Sequence, residues 1–460
     1  MTSILTRTLA AACCCLLLAC AAPREDEPEY LPESLGGPPR LGEAGSVAWA
    51  STSTPVLTLD QCLQIARENS RRLGIATRRV LIADDRVDEV IASILPRLEA
   101  EGRFSARNND AGVQRPGQAG ISFQEREVAT GTLSAIVPLY SFGRAENAYD
   151  AAKLGVQVAD LDARRVEQDL ELAVRDTYFR LLEAQKIATV VEDSIQVIER
   201  QLVVARDFYA QQLVSKSDVL SAEVQLAERF QERIQAANNV ELARVALNRV
   251  LGMDVDRRTE VQDVLDTLPW RGELRDILRL AIERRPDLEA ARQRIAIAQA
   301  QYRATRAEFF PVIFAFGSYN YTSDEFQLND DWLSGGAAIR VPIFDGGVTY
   351  TRLQQRRREI DEAVDLRDER IDDVLLDVRR AFLDQRASAE RIPVARKATE
   401  LGEENLRIVR DQYGQGLVTS VDVLIEEERL SRARSSYYRA LYAYHQAQAR
   451  LTNALGGPLE

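Results

Sequence analysis

The sequence repeats itself once, and this internal duplication restricts the possible folds more than any other feature. Pro138 and Pro342 lie in similar stretches, and we call the separation between them the main offset. The same offset relates Tyr209 to Tyr413, Leu213-Val214-Ser215 to Leu417-Val418-Thr419, Asp218-Val219-Leu220 to Asp422-Val423-Leu424, and Leu251-Gly252 to Leu455-Gly456. Nearer the start of each copy the separation is slightly longer, as between Pro96 and Pro311, and we call it the early offset. Constant separations over so many matches predict two copies of one structural unit.

Each copy predicts the same order of secondary structure. A helix ends before a proline, two strands flank a loop, a very long helix follows, and a shorter helix returns after a break. The elements are predicted over 59–94, 97–107, 126–138, 146–212 and 218–250 in the first copy, and over 273–308, 311–321, 332–343, 348–412 and 421–454 in the second. We therefore divide this part of the chain into repeat 1 (57–252), a linker (253–272) and repeat 2 (273–456).

The long helix of each copy carries an apolar stripe with heptad spacing, which is typical of coiled-coil packing. The stripe of the first copy consists of Leu170, Val174, Thr177, Leu181, Ala184, Ala188, Val191, Ile195, Ile198, Leu202, Ala205 and Tyr209. A helix of this length spans roughly 100 Å. Because the first and return helices together match that length, we predict a wall in which continuous helices alternate with stacked pairs.

The second strand of each copy alternates between apolar and polar residues. One face carries Ala129, Leu133, Ala135 and Val137 in the first copy, and Leu333, Ala337, Ile339, Val341 and Ile343 in the second. The pattern is typical of a transmembrane barrel strand, and also of a soluble sheet with one buried face. An aromatic girdle is expected from Phe314, Phe316, Tyr319, Tyr321 and Trp332. Since four strands do not close a barrel, spanning a membrane would require oligomerisation.

The N-terminal segment predicts export and lipid attachment. Residues 1–19 have one charge, Arg7, and an apolar stretch that ends in Leu17-Leu18-Ala19 before Cys20. This spacing resembles a bacterial lipobox, so we expect Cys20 to carry a covalent lipid such as palmitate. The alternative is an ordinary signal peptide that is cleaved without lipidation. Residues 20–56 are rich in Pro, Gly and Glu and predict an extended tether.

Composition argues against several other classes of function. The formal net charge of -12 disfavours nucleic acid, whose phosphates require a basic surface. The single histidine, His445, has no cluster of potential ligands or bases around it in the sequence, so we expect no enzyme, metal site or cofactor. Cys62 follows the start of the first helix and is expected to be a small packed apolar residue.

The duplicated layout and its repeated break resemble the TolC-like outer membrane efflux protein family, over about residues 57–456. The break runs from Tyr209 through Leu213-Val214-Ser215 to Asp218, and again from Tyr413 through Leu417-Val418-Thr419 to Asp422. The Cys20 lipobox fits the lipoprotein branch of that family. The resemblance implies a mainly α-helical fold with a small antiparallel β part. It further implies a homotrimer whose twelve-strand β-barrel continues into a twelve-helix α-helical barrel crossing the periplasm.

The resemblance also implies a function and partners. The chain would be a passive outer-membrane conduit that docks onto a periplasmic adaptor and an inner-membrane pump. Leu213, Val214, Ser215, Leu417, Val418 and Thr419 would form the adaptor-contacting tips, and Tyr413, Asp218 and Asp422 would form the gate. Two simpler roles compete at the gate positions: both aspartates suit helix N-termini, and Tyr209 and Tyr413 continue the apolar stripes. A lipid-anchored periplasmic coiled-coil scaffold or adaptor protein is the alternative function.

Overall fold

The structure is a computed structural model that describes residues 56–108, 111–113, 121–264 and 272–457. The predicted signal segment, Cys20 and the tether as far as residue 55 lie outside the described residues. Among the helices in the described ranges, none has the length and apolar character needed to cross a membrane.

Apart from a short hairpin in the first half, the described residues form helices and strands in the same order in both halves of the chain. The helices are α1 (Leu59–Asn69), α2 (Arg71–Ala92), α3 (Arg144–Ala210), α4 (Lys216–Leu251), α5 (Leu274–Arg284), α6 (Pro286–Ala307), α7 (Val348–Gly414) and α8 (Ser420–Ala454). The strands are β1 (Val56–Leu57), β2 (Arg97–Ala106), β3 (Ala111–Val113), β4 (Ile121–Gln124), β5 (Glu127–Tyr140), β6 (Glu260–Val261), β7 (Val312–Thr322) and β8 (Asp331–Arg340).

The duplication is visible in the backbone itself. Both long helices, α3 and α7, contain 67 residues. Positive φ angles recur at the main offset: Phe142 (53°) with Gly346 (69°), Gly143 (89°) with Gly347 (88°), Gln212 (63°) with Gly416 (75°), and Gly252 (70°) with Gly456 (83°). The two halves therefore turn at the same places, even where the residue that turns differs.

The predicted first helix of each half is wrong in one respect, because it is broken about a third of the way along. Ser70 has an extended backbone (ψ 112°), and its hydroxyl accepts from the Leu73 amide, which caps α2. In the second half Arg285 is extended (ψ 121°) and Pro286 begins α6, where its missing N–H costs nothing. Apolar periodicity on both sides of each break hid these boundaries.

One antiparallel sheet joins the two halves, with the strand order β2-β5-β7-β8. Directly opposed residues share a face, as Leu98, Ala135, Gly317 and Gly335 do along one row. That face carries Leu98, Ala100, Phe104, Ala129, Leu133, Ala135, Val137, Ala315, Tyr319, Tyr321, Leu333, Ala337 and Ile339. Outside the sheet, β1 and β6 pair in parallel, and β3 and β4 form a short hairpin in a segment predicted to be a loop.

The apolar face of the sheet is exposed in the protomer. Leu333 is 81% exposed, and Leu98, Phe104 and Ile339 are each about two thirds exposed. The opposite face, which we call the polar face, carries most of the polar and charged side chains of the sheet together with some aromatic ones. On it Thr132 donates to Asn320 at 3.2 Å, and the Ser318 and Ser334 hydroxyls lie 2.7 Å apart. A soluble sheet with one buried face is therefore not what the structure contains among the described residues.

The predicted aromatic girdle is only partly present on the apolar face. Tyr319 and Tyr321 lie on the apolar face, whereas Phe314, Phe316 and Trp332 lie on the polar face. The reason is the two-residue period of a strand, which sends odd and even positions to opposite sides. Arg340 covers one of these rings, with its guanidinium carbon 5.0 Å from the centre of Phe314.

The helices pack as two long hairpins, α3 with α4 and α7 with α8, and α3 also contacts α2, α6 and α8. The largest core includes Tyr178, Leu181, Tyr442 and Tyr444, contributed by α3 and α8. The described part of the predicted linker is tied to this core. Tyr178 donates to the Gln262 carbonyl at 2.6 Å, and Tyr442 donates to Asp263 at 2.8 Å.

Candidate functional site

The two hairpins end in similar turns, between Ala210 and Lys216 and between Gly414 and Ser420. Each turn reverses through one left-handed residue, Gln212 in the first and Gly416 in the second. The residue after it closes the preceding helix: the Leu213 amide donates to Phe208 at 2.9 Å, and the Leu417 amide donates to Gln412 at 3.0 Å. We call these turns the first tip and the second tip.

The return helix after each tip begins with a capping box. In the second tip the Thr419 amide donates to Asp422 Oδ2 at 2.8 Å, and the Asp422 amide donates back to Thr419 Oγ1 at 3.4 Å. In the first tip the Ser215 amide donates to Asp218 Oδ2 at 3.0 Å, and the Asp218 amide donates back to Ser215 Oγ at 3.4 Å. Both aspartates therefore cap helices, as the simpler interpretation predicts.

Asp422 is also suited to carry a charge at the second tip. Its side chain is exposed. The hydrogen bond from the Thr419 hydroxyl, together with that from the Thr419 amide, holds the pKa of Asp422 below its ordinary value. The carboxylate is consequently ionised across the neutral range and places a negative charge at the second tip.

Tyr413 is 4% exposed and packs in a cluster of its own near the second tip. Its ring centre lies 5.5 Å from that of Phe208, which belongs to the other half. Burial raises the pKa of Tyr413 and Asp218 adds to the rise, while the Ser420 side chain acts in the opposite direction. The buried Tyr413 hydroxyl has no hydrogen-bond partner of good geometry among the described residues.

The structure does not bring Tyr413 and Asp218 of one protomer into a hydrogen bond. Asp218 Oδ2 accepts instead from the Ser215 amide and hydroxyl. Tyr413 packs within the protomer, as its place in the apolar stripe predicts. Tyr209, which ends the equivalent stripe of the first half, is 46% exposed in the protomer. The difference arises because Tyr413 has Phe208 beside it, whereas Tyr209 meets no comparable ring within the described chain.

The predicted tip residues divide into outward and inward groups. Leu213 and Leu417 are 66% and 70% exposed, which leaves apolar surface at the end of each hairpin. Val214 and Val418 are half-buried, and Val418 packs against the Tyr413 cluster. Ser215 and Thr419 are exposed, but their hydroxyls serve the helix caps.

A buried polar group behind the tips was missed by reasoning from the sequence. Glu427 on α8 is 4% exposed, and Arg410 on α7 lies 3.4 Å from it. Burial raises the pKa of Glu427, and Arg410, Ser194, Arg434 and Arg229 act in the opposite direction. The sequence does contain a signal for this burial, because positions 423, 427 and 430 lie on one helix face and the outer two are apolar.

His445 lies in the core between aromatic rings. Its ring stacks on Phe179 at 4.8 Å, and its Nε2 atom is buried without a hydrogen-bond partner among the described residues. Burial lowers the pKa of His445, and Asp263 acts in the opposite direction. Within the described ranges, no group of three or more His, Cys, Asp or Glu side chains is placed to hold a metal ion.

Comparisons with known proteins agree with this architecture. The family model described as "Outer membrane efflux protein" matches residues 62–253 and 277–457. The pyoverdine export outer membrane protein OpmQ of Pseudomonas aeruginosa is 25% identical over 425 residues, which cover 89% of this chain and 86% of that protein. The cation efflux system protein CusC of Escherichia coli O157:H7 is 25% identical over 403 residues, covering 85% and 84%.

Solved structures show the same fold. The outer membrane protein VceC of Vibrio cholerae superposes with a TM-score of 0.75 at 22% identity, over 87% of this chain and 97% of that one. A crystal structure of CusC superposes with a TM-score of 0.76 at 20% identity, over 88% and 93%. At these identities the likeness concerns the arrangement of helices and strands.

Proposed function

Because the chain belongs to the outer membrane efflux protein family, we propose that it is the outer-membrane channel of a tripartite export system. One observation carries the proposal: a single sheet with an exposed apolar face continues, in both halves, into 67-residue helices that end in capped tips. Such a protomer supplies a membrane wall and a long periplasmic wall in one piece. The conduit is passive, and the inner-membrane pump supplies the energy.

Three protomers form the channel. The sheet of one protomer has two open edges, β2 and β8, and open edges are not tolerated in lipid. Three copies of four strands give a closed barrel of twelve, with the apolar face toward lipid and the polar face toward the pore. The helices continue this wall below the membrane as a twelve-helix tunnel.

The exposed face of α2 supports the same assembly. Ile75, Leu81 and Ile82 are each more than half exposed, although α2 corresponds to α6 at the early offset. The counterpart of Ile75 is Ala290, which is fully buried on α6, the helix that packs along α3 of the other half. We expect α2 to pack in the same way along α7 of a neighbouring protomer.

The gate lies at the tips. In the trimer, the Tyr413 hydroxyl bonds to Asp218 of a neighbouring protomer. Because this hydroxyl is buried in the single protomer, the bond requires the Tyr413 ring to turn toward the neighbour. Three Asp422 carboxylates line the entrance and favour cations there by concentrating negative field. Opening requires the tip helices to move apart, which breaks the Tyr413 bonds.

The outward leucines of the tips contact the periplasmic adaptor. Leu213 and Leu417 present exposed apolar surface at the periplasmic end, where a partner of matching apolar character gains by covering it. Val214, Ser215, Val418 and Thr419 shape this surface through their packing and caps. Cys20 anchors the chain to the outer membrane through its lipid.

The relatives named above are described as exporting different compounds, pyoverdine in one case and cations in another. The alternative of a periplasmic scaffold or adaptor is not favoured, because the family model covers both halves and the sheet presents an uncovered apolar face.

The test is to count subunits and locate the full-length protein in cells, beside the Cys20→Ala variant. The proposed function predicts a trimer in the outer-membrane fraction for both proteins, with incorporation of labelled palmitate lost in the variant. A Cys20→Ala protein recovered as a soluble periplasmic monomer would show that the lipid alone holds the chain at the membrane. That result would favour the scaffold.

A further inference from the structure

The two halves of the protein use the same strand register, and this allows one more ladder to be located. In the first half β2 pairs with β5 so that Arg97 lies opposite Ile136. In the second half β7 pairs with β8 so that Val312 lies opposite Arg340. Val312 is the counterpart of Arg97 at the early offset and Arg340 that of Ile136 at the main offset, so the two ladders superpose without a slip.

A third ladder, β5 with β7, joins the halves, and it has no counterpart among the described strands of one protomer. It connects the second strand of the first half to the first strand of the second half. The equivalent connection runs from β8, the second strand of the second half, to β2, the first strand of the first half. Within the protomer these two strands are the free edges of the sheet.

β8 itself shows that it lacks a partner. β5 continues to Tyr140 and pairs there with Ile313 of β7. β8 ends at Arg340, and the counterparts of the last residues of β5 are uncovered: Ile343 is 94% exposed and Phe344 is 89% exposed. Their counterparts at the end of β5 belong to a paired strand, whereas these two residues have no neighbouring strand within the described protomer.

We propose that β8 of one protomer pairs antiparallel with β2 of the next, with Ile339 opposite Gly102 and Arg340 opposite Glu101. The register follows from the β5–β7 ladder, in which Ala135 lies opposite Gly317 and Ile136 opposite Phe316. The proposed pairing rests on the trimeric channel proposed above. It specifies which residues meet at each of the three seams, where β8 of one protomer adjoins β2 of the next. The β5–β7 ladder shifts by one residue between Pro138 and Tyr140, so that Tyr140 lies opposite Ile313. Transfer of this shift places Phe344 opposite Leu98 and extends β8 as far as Phe344.

The faces of the two strands agree with this register. Ile339 and Ala337 belong to the apolar face and would lie opposite Gly102 and Phe104, which also belong to it. A slip of one residue would set apolar side chains against polar ones along the whole seam. Phe344 and Leu98, which are 89% and 70% exposed in the protomer, would cover each other.

The charges agree as well. Arg340 forms no ion pair with any residue in the described ranges, and its guanidinium lies over Phe314. Glu101 is exposed and contacts Arg103 at 3.0 Å, so it remains available to a second cation. A slip of two residues in one direction would set Arg340 against Arg103, which like charges oppose. A slip of two residues in the other direction would set Arg340 against Glu99, which charge alone does not oppose. The choice of Glu101 over Glu99 therefore comes from the register transferred from the β5–β7 ladder.

Cysteine crosslinking in the full-length protein in outer membranes tests the register. The predicted pair is Ile339→Cys with Gly102→Cys, because a side chain added at Gly102 meets no atom within 4 Å. The slipped pairs combine Ile339→Cys with Ala100→Cys or with Phe104→Cys. The matched control is Ala135→Cys with Gly317→Cys, the equivalent pair inside one protomer, which should close without linking chains. Each single-cysteine variant shows the background.

After mild oxidation, the proposal predicts covalent dimers and trimers of the chain for the 339/102 pair, formed faster than for either slipped pair. Faster crosslinking of a slipped pair would overturn the register. So would the absence of linked chains when the intrachain control closes and the protein is trimeric. A chain that is monomeric in the membrane would overturn the proposed function itself, and the two failures are thereby distinguished.

Charge exchange gives a second readout that requires no cysteine. Arg340→Glu and Glu101→Arg should each lower the trimer-to-monomer ratio in mild detergent by roughly twofold to fivefold, and the double exchange should restore most of it. A double variant no better than the worse single variant would contradict the pairing. Exchange of Arg340 with Glu99, in Arg340→Glu with Glu99→Arg, is the matched control and should not restore the ratio.

Discussion

Thr419 and Asp422 bind each other across the first turn of α8. The Thr419 hydroxyl donates to Asp422 Oδ2 at 2.7 Å, and the Asp422 amide donates to Thr419 Oγ1 at 3.4 Å. The carboxylate proposed to act on ions at the entrance is therefore also the cap of the return helix. Any substitution of Asp422 changes both properties unless an oxygen acceptor is kept.

Asp422→Asn separates these roles, because the amide oxygen still accepts at the cap while the charge is lost. We expect a reduced preference for cations in single-channel recordings, with little change in thermal stability. Thr419→Ala is the complementary variant: it should cost about 1 kcal/mol of helix stability and leave the cation preference in place. Unchanged selectivity in Asp422→Asn would remove this carboxylate from the pore.

Tyr413→Phe tests the gate. The phenol hydroxyl has no hydrogen-bond partner of good geometry in the described protomer, so its removal should leave the stability of the protomer nearly unchanged. If the hydroxyl bonds to a neighbouring protomer, the closed channel should leak, which is measured as a rise in basal conductance. Tyr209→Phe, at the exposed equivalent position, is the matched control. Equal conductance in both variants and the natural protein would leave Tyr413 with a packing role alone.

Asp287→Ala should destabilise the protein strongly. Asp287 is 8% exposed and receives two hydrogen bonds from Arg285, at 2.9 and 2.6 Å, while Arg370 lies 3.0 Å away. Removing it leaves the buried Arg285 without its partner, at a cost of about 3–5 kcal/mol. The control is Glu289→Ala, which breaks an exposed pair with Arg292 and should cost under about 1 kcal/mol. Chemical unfolding measures both, and equal losses would contradict the prediction.

From the buried pair of Asp287 and Arg285 we also predict that the protein loses stability in acid. Burial raises the pKa of Asp287, but the hydrogen bonds and charge of Arg285 outweigh this effect and hold it below the ordinary value of 3.8. The folded protein therefore binds this proton less readily than the unfolded chain does. The contribution of Asp287 is complete above that ordinary value and is lost as the pH falls through the folded-state pKa.

His445→Phe should weaken the dependence of stability on pH in the mildly acidic range. Burial between aromatic rings lowers the pKa of His445 from its ordinary value of 6.5. Because the unfolded chain takes up this proton first, the natural protein should lose stability as the pH falls below about 6.5. The thermal midpoint, followed from about pH 7.5 to about pH 5.5, should fall less in the variant. Parallel curves would contradict this role.

The long helices and the strands were predictable because each is a sustained periodic pattern. The 67-residue helices begin and end within two residues of the predicted bounds in both halves. The breaks at Ser70 and Arg285 were missed, since a local cap and a proline at N1 interrupt the helix without disturbing its apolar spacing.

The helix caps of the site were predictable from local sequence. The burial of its side chains was less predictable, because it depends on residues that are distant in the sequence. The capping pairs follow from Ser or Thr three residues before Asp, which is a signal within one turn. Tyr209 and Tyr413 have the same spacing, but Tyr413 is buried by an apolar cluster that includes Phe208 of the other half. The hydrogen bond from Arg370 to Asp287 likewise depends on how α6 lies against α7.

Ion conductance of the purified full-length protein in a planar lipid bilayer tests the central claim most directly. The account predicts discrete conductance steps from a trimer that is closed most of the time, and a higher basal conductance for Tyr413→Phe. Trimers that insert into the bilayer and conduct no ions, in the natural protein and in Tyr413→Phe alike, would contradict it.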